Sequence, residues 1–398
     1  MNQQMKKLKE ICIIKPPKNE VRKKLKDDDL VSFVPMEDLG ILSKNINLNK
    51  ERKLKEVVHS YTYFADDDVL LAKITPCFEN GKLGIARNLK NGVGFGSSEY
   101  IVFRPTRDLF SEFLFYFLSD ENFRKKGKKT MSGAVGHKRI SKEFIENYQI
   151  LLPPLSEQHR IVKILDEVFA DVAKAKENVE KNFQNAKELF ESYLQSVFAN
   201  PRKDWEEKRL GEVCELKSGT TISPSLERKS GDVLYTKIAD MNLPENFIEI
   251  KNSSRFVNSD EIKKNQIIPE GAIIFPKRGG AIATNKKRKI VKPTIVDLNT
   301  MAIIPSNKID DEYFYHWFKL IDLSKISNGT SIPQINNYSF DEVYIPYPVS
   351  LKEQKSIVAK LDALSAEIKK LEAIYKQKLA DLEELNKSML KKAFNGEL

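Results

Sequence analysis

The sequence is poor in the residues that staple a chain or carry it through a membrane. Its three cysteines, Cys12, Cys77 and Cys214, are far apart and odd in number, which argues against a disulfide framework and suits a reducing compartment. No apolar run approaches the ~18 residues of a membrane helix. The opening MNQQMKKLKE lacks the apolar stretch of a signal peptide, so a cytoplasmic location is expected. The four histidines, His59, His137, His159 and His316, are scattered and show no zinc spacing with the cysteines. Acidic residues are missing from 122–142 and from 271–296. Proline and glycine are missing between 157 and 199 and between 353 and 395, so nothing there breaks a helix.

What is present is a repeat, and repeats decide a fold before any local reading does. LSEQHRIVKILDEVFADV at 155–172 returns as LKEQKSIVAKLDALSAEI at 351–368, 196 residues on and without a gap. Ser192, Leu194 and Phe198 are answered by Ser388, Leu390 and Phe394 at the same offset. Ile161, Leu165, Val168, Val172, Ala175 and Val179 alternate in steps of four and three, and so do Ile357, Leu361, Leu364, Ile368, Leu371 and Tyr375. That is the heptad seam of a coiled coil. The step to Phe183 and Leu379 is four where three is due, a stutter that locally unwinds the supercoil. A helix with such a stripe needs a partner, and the other copy supplies it. The pattern predicts an antiparallel coiled coil of two helices, each of about 42 residues and roughly 60 Å. Pro153–Pro154 and Pro346 with Pro348 mark the starts; Asn200–Pro201 and Asn395–Gly396 mark the ends.

The intervening stretches repeat more loosely. LKEIC (8–12) resembles LGEVC (210–214), and the aromatic-rich SEFLFYFLSD (111–120) resembles DEYFYHWFKL (311–320). Gly133, Phe144 and Tyr148 match Gly329, Phe340 and Tyr344. DDVLLAKIT, GKLGIARN and YIVFRP in the first half, and GAIIFPKRG, MAIIPS and VYIPYP in the second, are strand-like runs bounded by turn residues. The fold class expected is α+β, with a head at 1–154, a helix at 155–200, a second head at 201–350 and a second helix at 351–398. The two halves form a pseudo-two-fold pair.

The charge points to a polyanion. The net charge is +10. The acid-free stretches hold Arg124, Lys125, Lys126, Lys128, Lys129, Lys138, Arg139 and Lys142 in one half, and Lys277, Arg278, Lys286, Lys287, Arg288, Lys289 and Lys292 in the other. Duplex DNA has a local two-fold axis, and protein dyads place readers at half-sites roughly 34–36 Å apart. Unlike heads would read unlike half-sites, and paired helices would fix the gap between them. Arginine and lysine donate to guanine O6 and N7, while asparagine and glutamine pair with adenine N6 and N7; most contacts nonetheless go to phosphates. The candidates are Lys73, Lys82, Arg87, Ser132, His137, Lys138 and Arg139 in the first head. In the second they are Lys277, Arg278, Asn285, Lys286, Arg288, Thr330 and Gln334.

These residues carry a family resemblance across essentially the whole chain. LPPLSEQHRIVKILDEVFADV is similar to the central conserved region of type I restriction–modification specificity (S) subunits. LKEQKSIVAKLDALSAEI with SMLKKAFNGEL resembles their C-terminal conserved region. GKLGIARN with GFGSSEYIVFRP, and GAIIFPKRGGAIA with LNTMAIIP, resemble their two target-recognition domains; WEEKRLGEVCELKSG resembles the opening of the second. The resemblance implies a subunit without an active site, each recognition domain reading half of a split, asymmetric double-stranded DNA target. It implies that the helices hold two methyltransferase subunits, which methylate adenine using S-adenosylmethionine. Restriction subunits that use ATP and Mg complete the complex. The chain itself is expected to bind no cofactor and no metal.

Two other functions are open to the sequence. One is a stand-alone DNA methyltransferase or nuclease; the methyltransferase needs a (D/N)PP(Y/F) motif, but the PP pairs here are KPPK (15–18) and LPPL (152–155). FRKKGKKT (123–130) looks like a phosphate loop, yet Asn122 and Lys129 stand where glycine and serine or threonine belong. Asp66–Asp67–Asp68 reads as a turn rather than a metal cluster. A coiled-coil adaptor that binds no DNA would explain the helices and leave both basic stretches idle.

Overall fold

A computed structural model describes residues 4–134, 136–329 and 331–398. It divides into two units, the chain up to Glu180 with Tyr375–Leu398, and Lys181–Ile374. Each unit joins one α+β head to the beginning of one long helix and the end of the other.

In the first head, strands β1 (Cys12–Ile14), β2 (Val69–Ala72), β3 (Leu83–Ile85) and β4 (Tyr100–Pro105) form an antiparallel sheet in the order β1-β4-β2-β3. A second sheet joins Leu30–Val34, Glu51–Lys53, Thr62–Ala65 and Val93–Gly96. All four residues of β2 are buried, as expected of a strand covered on both faces. Helix α1 (Ser111–Ser119) buries Phe113, Leu114, Phe115, Tyr116, Phe117 and Leu118; an all-round apolar helix belongs inside a core. The second head repeats this plan. Strands β5 (Cys214–Ser218), β6 (Ile273–Pro276), β7 (Arg288–Ile290) and β8 (Thr300–Pro305) run in the order β5-β8-β6-β7, with Glu249–Ile250 added beyond β7. The aromatic helix here is Asp311–Phe318.

In each head an antiparallel ribbon brings the first strand to the foot of the long helix: Gln4–Lys7 against Gln149–Leu152, and Trp205–Arg209 against Tyr344–Pro348. The repeated LKEIC and LGEVC provide the next turn. Leu8 and Leu210 are fully buried, and Cys12 and Cys214 lie in the same cores.

The two long helices, Leu155–Ala199 and Leu351–Asn395, have 45 residues each. In the first unit Ile161, Val162, Leu165 and Phe169 share a core with Met389, Leu390, Ala393 and Phe394, and Lys176 pairs with Glu383 at 3.5 Å. In the second unit Ile357, Val358 and Leu361 share a core with Leu194, Val197 and Phe198. The beginning of each helix thus meets the end of the other, which makes the pair antiparallel. Val172 is buried along the seam; Val168, Val179, Leu364, Ile368, Leu371 and Tyr375 are half-buried. The heptad reading assigns Ile161, Leu165, Ile357 and Leu361 to the helix–helix seam. The structure places them against the head as well, because the aromatic helix of each head lies over the first turns of the long helix.

Two repeated polar residues explain how head and helix are joined. The Gln158 carbonyl oxygen accepts the Phe110 N–H at 2.8 Å, and its amide nitrogen donates to the carbonyls of Asp108 and Pro153, both at 2.9 Å. Gln354 does the same with Asp310 N–H (2.7 Å) and the carbonyls of Lys308 (2.9 Å) and Pro348 (2.8 Å). Both glutamines are fully buried. Two turns on, Asp166 accepts from the Tyr116 hydroxyl and Lys44, and Asp362 lies 2.8 Å from His316 Nε2. Burial and the Lys319 cation push the His316 pKa down, against Asp362, which raises it. Gln158→Leu strands one buried N–H and two carbonyls. At about 1–3 kcal/mol for a buried group left unsatisfied, the variant is expected to melt several degrees lower in a thermal denaturation scan. An unchanged melting temperature would remove Gln158 from this role.

Candidate nucleic-acid interface

Both heads build the same feature from different residues. In the first, Lys73 follows β2, and its carbonyl accepts the Ile140 N–H at 2.9 Å. This pins the end of a hairpin whose Ser132 and Arg139 exchange backbone hydrogen bonds at 3.1 and 2.9 Å. The Thr75 N–H donates to the Lys138 carbonyl at 2.9 Å. In the second head Lys277 follows β6 and its carbonyl accepts the Ile335 N–H at 2.8 Å; Asn328 and Gln334 close the hairpin at 2.8 and 2.7 Å. The repeated glycine has a physical reason. Gly133 and Gly329 have φ of +127° and +105°, which favours glycine. A Cβ there would stand 2.9 Å from the His137 carbonyl oxygen and 2.7 Å from that of Ile332.

The side chains then differ. In the first head Ser132, His137, Lys138 and Arg139 are exposed. Arg139 donates through Nε and Nη2 to the two carboxylate oxygens of Glu99, at 2.9 and 2.8 Å, and holds the Glu99 carboxyl below the usual carboxylate range. Lys73 Nζ donates to the Ser98 carbonyl at 2.8 Å. In the second head Arg278 is exposed, and Lys277 Nζ donates to Ser218 Oγ at 3.0 Å. Burial, then the neighbouring Arg278 cation, lowers the Lys277 pKa. Gln334 Nε2 donates to Asn336 Oδ1 at 3.0 Å.

The other candidates lie elsewhere in their heads. Lys82 Nζ donates to the Met36 carbonyl at 2.6 Å. Arg87 pairs with Glu112 at 2.6 Å on α1, beside Lys44 and Asp166. Arg288 is 8% exposed; its Nη1 donates to the Lys287 carbonyl at 2.9 Å, and its guanidinium lies over Phe247. Asn285 adopts a left-handed φ of 49°, and its Oδ1 accepts from Lys287 Nζ and the Leu323 N–H. Lys286 donates to Asn242. Thr330 lies outside the described residues.

A run without acids in sequence is therefore not a uniform patch in space. Lys125 meets Glu121 and Lys128 meets Glu79, both at 3.0 Å, while Lys289 lies between Glu249 and Glu312. The stretch resembling a phosphate loop is mostly helix, Glu121–Lys129. Asp66–Asp68 is a turn: Asp66 accepts the Leu89 N–H, Asp67 has φ +65°, and buried Asp68 takes Arg104 at 2.8 Å through both oxygens. Among the described residues, no cluster of His, Cys, Asp or Glu could hold a metal. No described helix is long and apolar enough to cross a membrane. Sequence reasoning missed Ser98, Glu99, Ser218, Asn336 and Tyr338, whose only signal is their place beside basic residues once the strands pair.

A duplicated α+β head carrying a pinned hairpin with basic neighbours, each copy built onto the beginning of one long helix and the end of the other, defines a class of paired-head proteins. The chain belongs to the type I restriction modification DNA specificity domain family, whose model matches residues 2–181 and 202–381. The EcoAI specificity subunit of Escherichia coli is 41% identical over 137 residues, 34% of this chain and 23% of that protein. The EcoEI specificity subunit of Escherichia coli is 41% identical over 156 residues, 39% of this chain and 26% of that protein. The chain thus spans about a quarter of the length of these two relatives. The MjaVIII specificity subunit of Methanocaldococcus jannaschii is 30% identical over 286 residues, 65% of each protein. Among solved structures, a chain of a type I R-M system has a TM-score of 0.81 at 19% identity, covering 100% of this chain and 98% of that one. The HsdS subunit from Thermoanaerobacter tengcongensis has a TM-score of 0.72 at 20% identity, with 100% and 97% covered. At such identities the likeness concerns the fold.

Proposed function

We propose that this chain is the non-catalytic DNA-reading subunit of a type I restriction–modification complex, each head taking one half of a bipartite asymmetric target. The observation that carries this reading is the doubled hairpin. One backbone device, a strand-end lysine carbonyl holding the far side of a Gly-turned loop, presents Lys73, His137, Lys138 and Arg139 in one head. In the other it presents Lys277, Arg278 and Gln334. Equal scaffolds with unequal side chains suit two readers of different sequence. The guanidinium of Arg139, oriented by Glu99, offers its remaining donors to guanine O6 and N7.

The paired helices set the gap and dock two methyltransferase subunits, and restriction subunits complete the assembly. S-adenosylmethionine, ATP and Mg belong to those partners, in the cytoplasm. A coiled-coil adaptor would bind duplex DNA weakly and without regard to salt. A reader that neutralises phosphates loses affinity linearly on a log–log scale, with a slope of about −0.9 per phosphate. A salt titration of the complex on its target duplex is expected to give a slope steeper than about −3, corresponding to four or more phosphates. A flat titration would favour the adaptor.

A further inference from the structure

We propose that the second head identifies a thymine by its C5-methyl group through Ile332, beside an adenine-reading amide at Gln334. The proposal rests on the DNA-reading function above and deepens it.

Ile332 and Tyr338 are 63% and 59% exposed, and they flank the stretch that closes against Lys277 and Arg278. A single exposed apolar residue is ordinary on any surface; here its neighbours give it meaning. Arg278 forms an antiparallel bridge with Gln334, and the Gly279 N–H donates to the Pro333 carbonyl at 2.8 Å. The isoleucine therefore stands one residue from a backbone anchored beside two cations. Those cations suit a polyanion, and an apolar side chain among them suits the apolar part of that polyanion.

The amide row supplies the register. Gln334 Nε2 donates to Asn336 Oδ1 at 3.0 Å, and Asn336 Nδ2 donates to the Tyr338 hydroxyl at 2.9 Å. In this arrangement the Gln334 amide nitrogen faces Asn336. The amide retains a second N–H and its carbonyl oxygen, the donor and acceptor that adenine N7 and N6 complement. In the major groove the partner thymine places its C5-methyl on the same base pair, where apolar side chains contact it. Glutamine and isoleucine two residues apart match those two marks of one A·T pair. At its far side the hairpin of the first head carries the exposed His137, Lys138 and Arg139 instead.

The test uses the full chain with its methyltransferase partner on a duplex carrying the target found by mapping methylated adenines. Each thymine of both half-sites is replaced singly by deoxyuridine, which removes only the methyl, and the dissociation constant is measured. One replacement is expected to weaken binding roughly fourfold, the worth of about one buried methyl-sized group. In Ile332→Ala that same pair of duplexes is expected to bind equally. Sensitivity that survives Ile332→Ala, or full affinity for every deoxyuridine duplex, overturns the proposal while leaving DNA reading intact. A complex that prefers no target over random duplex overturns both. Tyr338→Phe, which takes the hydroxyl from Asn336, is expected to narrow the preference for A·T over G·C at that base pair without changing the melting temperature. An unchanged preference removes Tyr338 from the positioning role.

Discussion

Deleting residues 172–178 together with 368–374 is expected to leave both half-sites of the DNA target unchanged and to shorten the gap between them by about 3 base pairs. Seven residues are one heptad, so each helix keeps its apolar seam across the join. Val172 and Val179 occupy equivalent places, as do Ile368 and Tyr375, so the spliced surfaces still match. At ~1.5 Å per residue the pair shortens by roughly 10 Å, and a base pair rises 3.4 Å. The cores that join helix to head, around Leu165 with Leu390 and Leu361 with Phe198, lie outside both deletions. Mapping methylated adenines in cells that express the shortened chain with the proposed methyltransferase partner checks the result. An altered half-site would refute the division of labour between heads and helices.

Replacing Lys277 and Arg278 together by alanine is expected to weaken DNA binding roughly 10- to 100-fold and to flatten the salt dependence. A base contact is worth about 1–3 kcal/mol, and each lost phosphate contact lowers the log–log slope by about 0.9. The backbone survives the change, because the Lys277 carbonyl, not its side chain, holds the Ile335 N–H. Lys277 Nζ donates to Ser218 Oγ, and burial, then the Arg278 cation, lowers its pKa in the free protein. A phosphate beside the ammonium would oppose that shift. Unchanged affinity at moderate salt, with an unchanged melting temperature, would remove both residues from the interface.

The sequence made the frame legible and left the interface half-hidden. Heptad spacing and a constant offset mark both long helices, since neither stretch contains a residue that interrupts the period. The aromatic runs at 111–120 and 311–320 announce buried helices by composition alone. The repeated glutamines are visible at 158 and 354, but their task is not. Besides the nearby carbonyls of Pro153 and Pro348, their partners are backbone groups at 108–110 and 308–310, more than forty residues away, and nothing in the side chains there names them. The same limit governs the charges. Lys73 and the 132–139 hairpin meet because backbone hydrogen bonds join residues 73 and 140 and residues 75 and 138, whereas Arg288, from an equally basic run, turns inward over Phe247. Glu99 lies outside the acid-free stretch, yet strand pairing sets it under Arg139. Linear charge density names the region; the sheet decides which cations stay free.

The most direct test of the proposal that two unlike heads are held at a fixed separation is the map of methylated adenines made by this chain with the proposed methyltransferase partner. The expected result is one interrupted, asymmetric motif with a single gap length. A continuous motif, a gap of variable length, or two identical half-sites would contradict it.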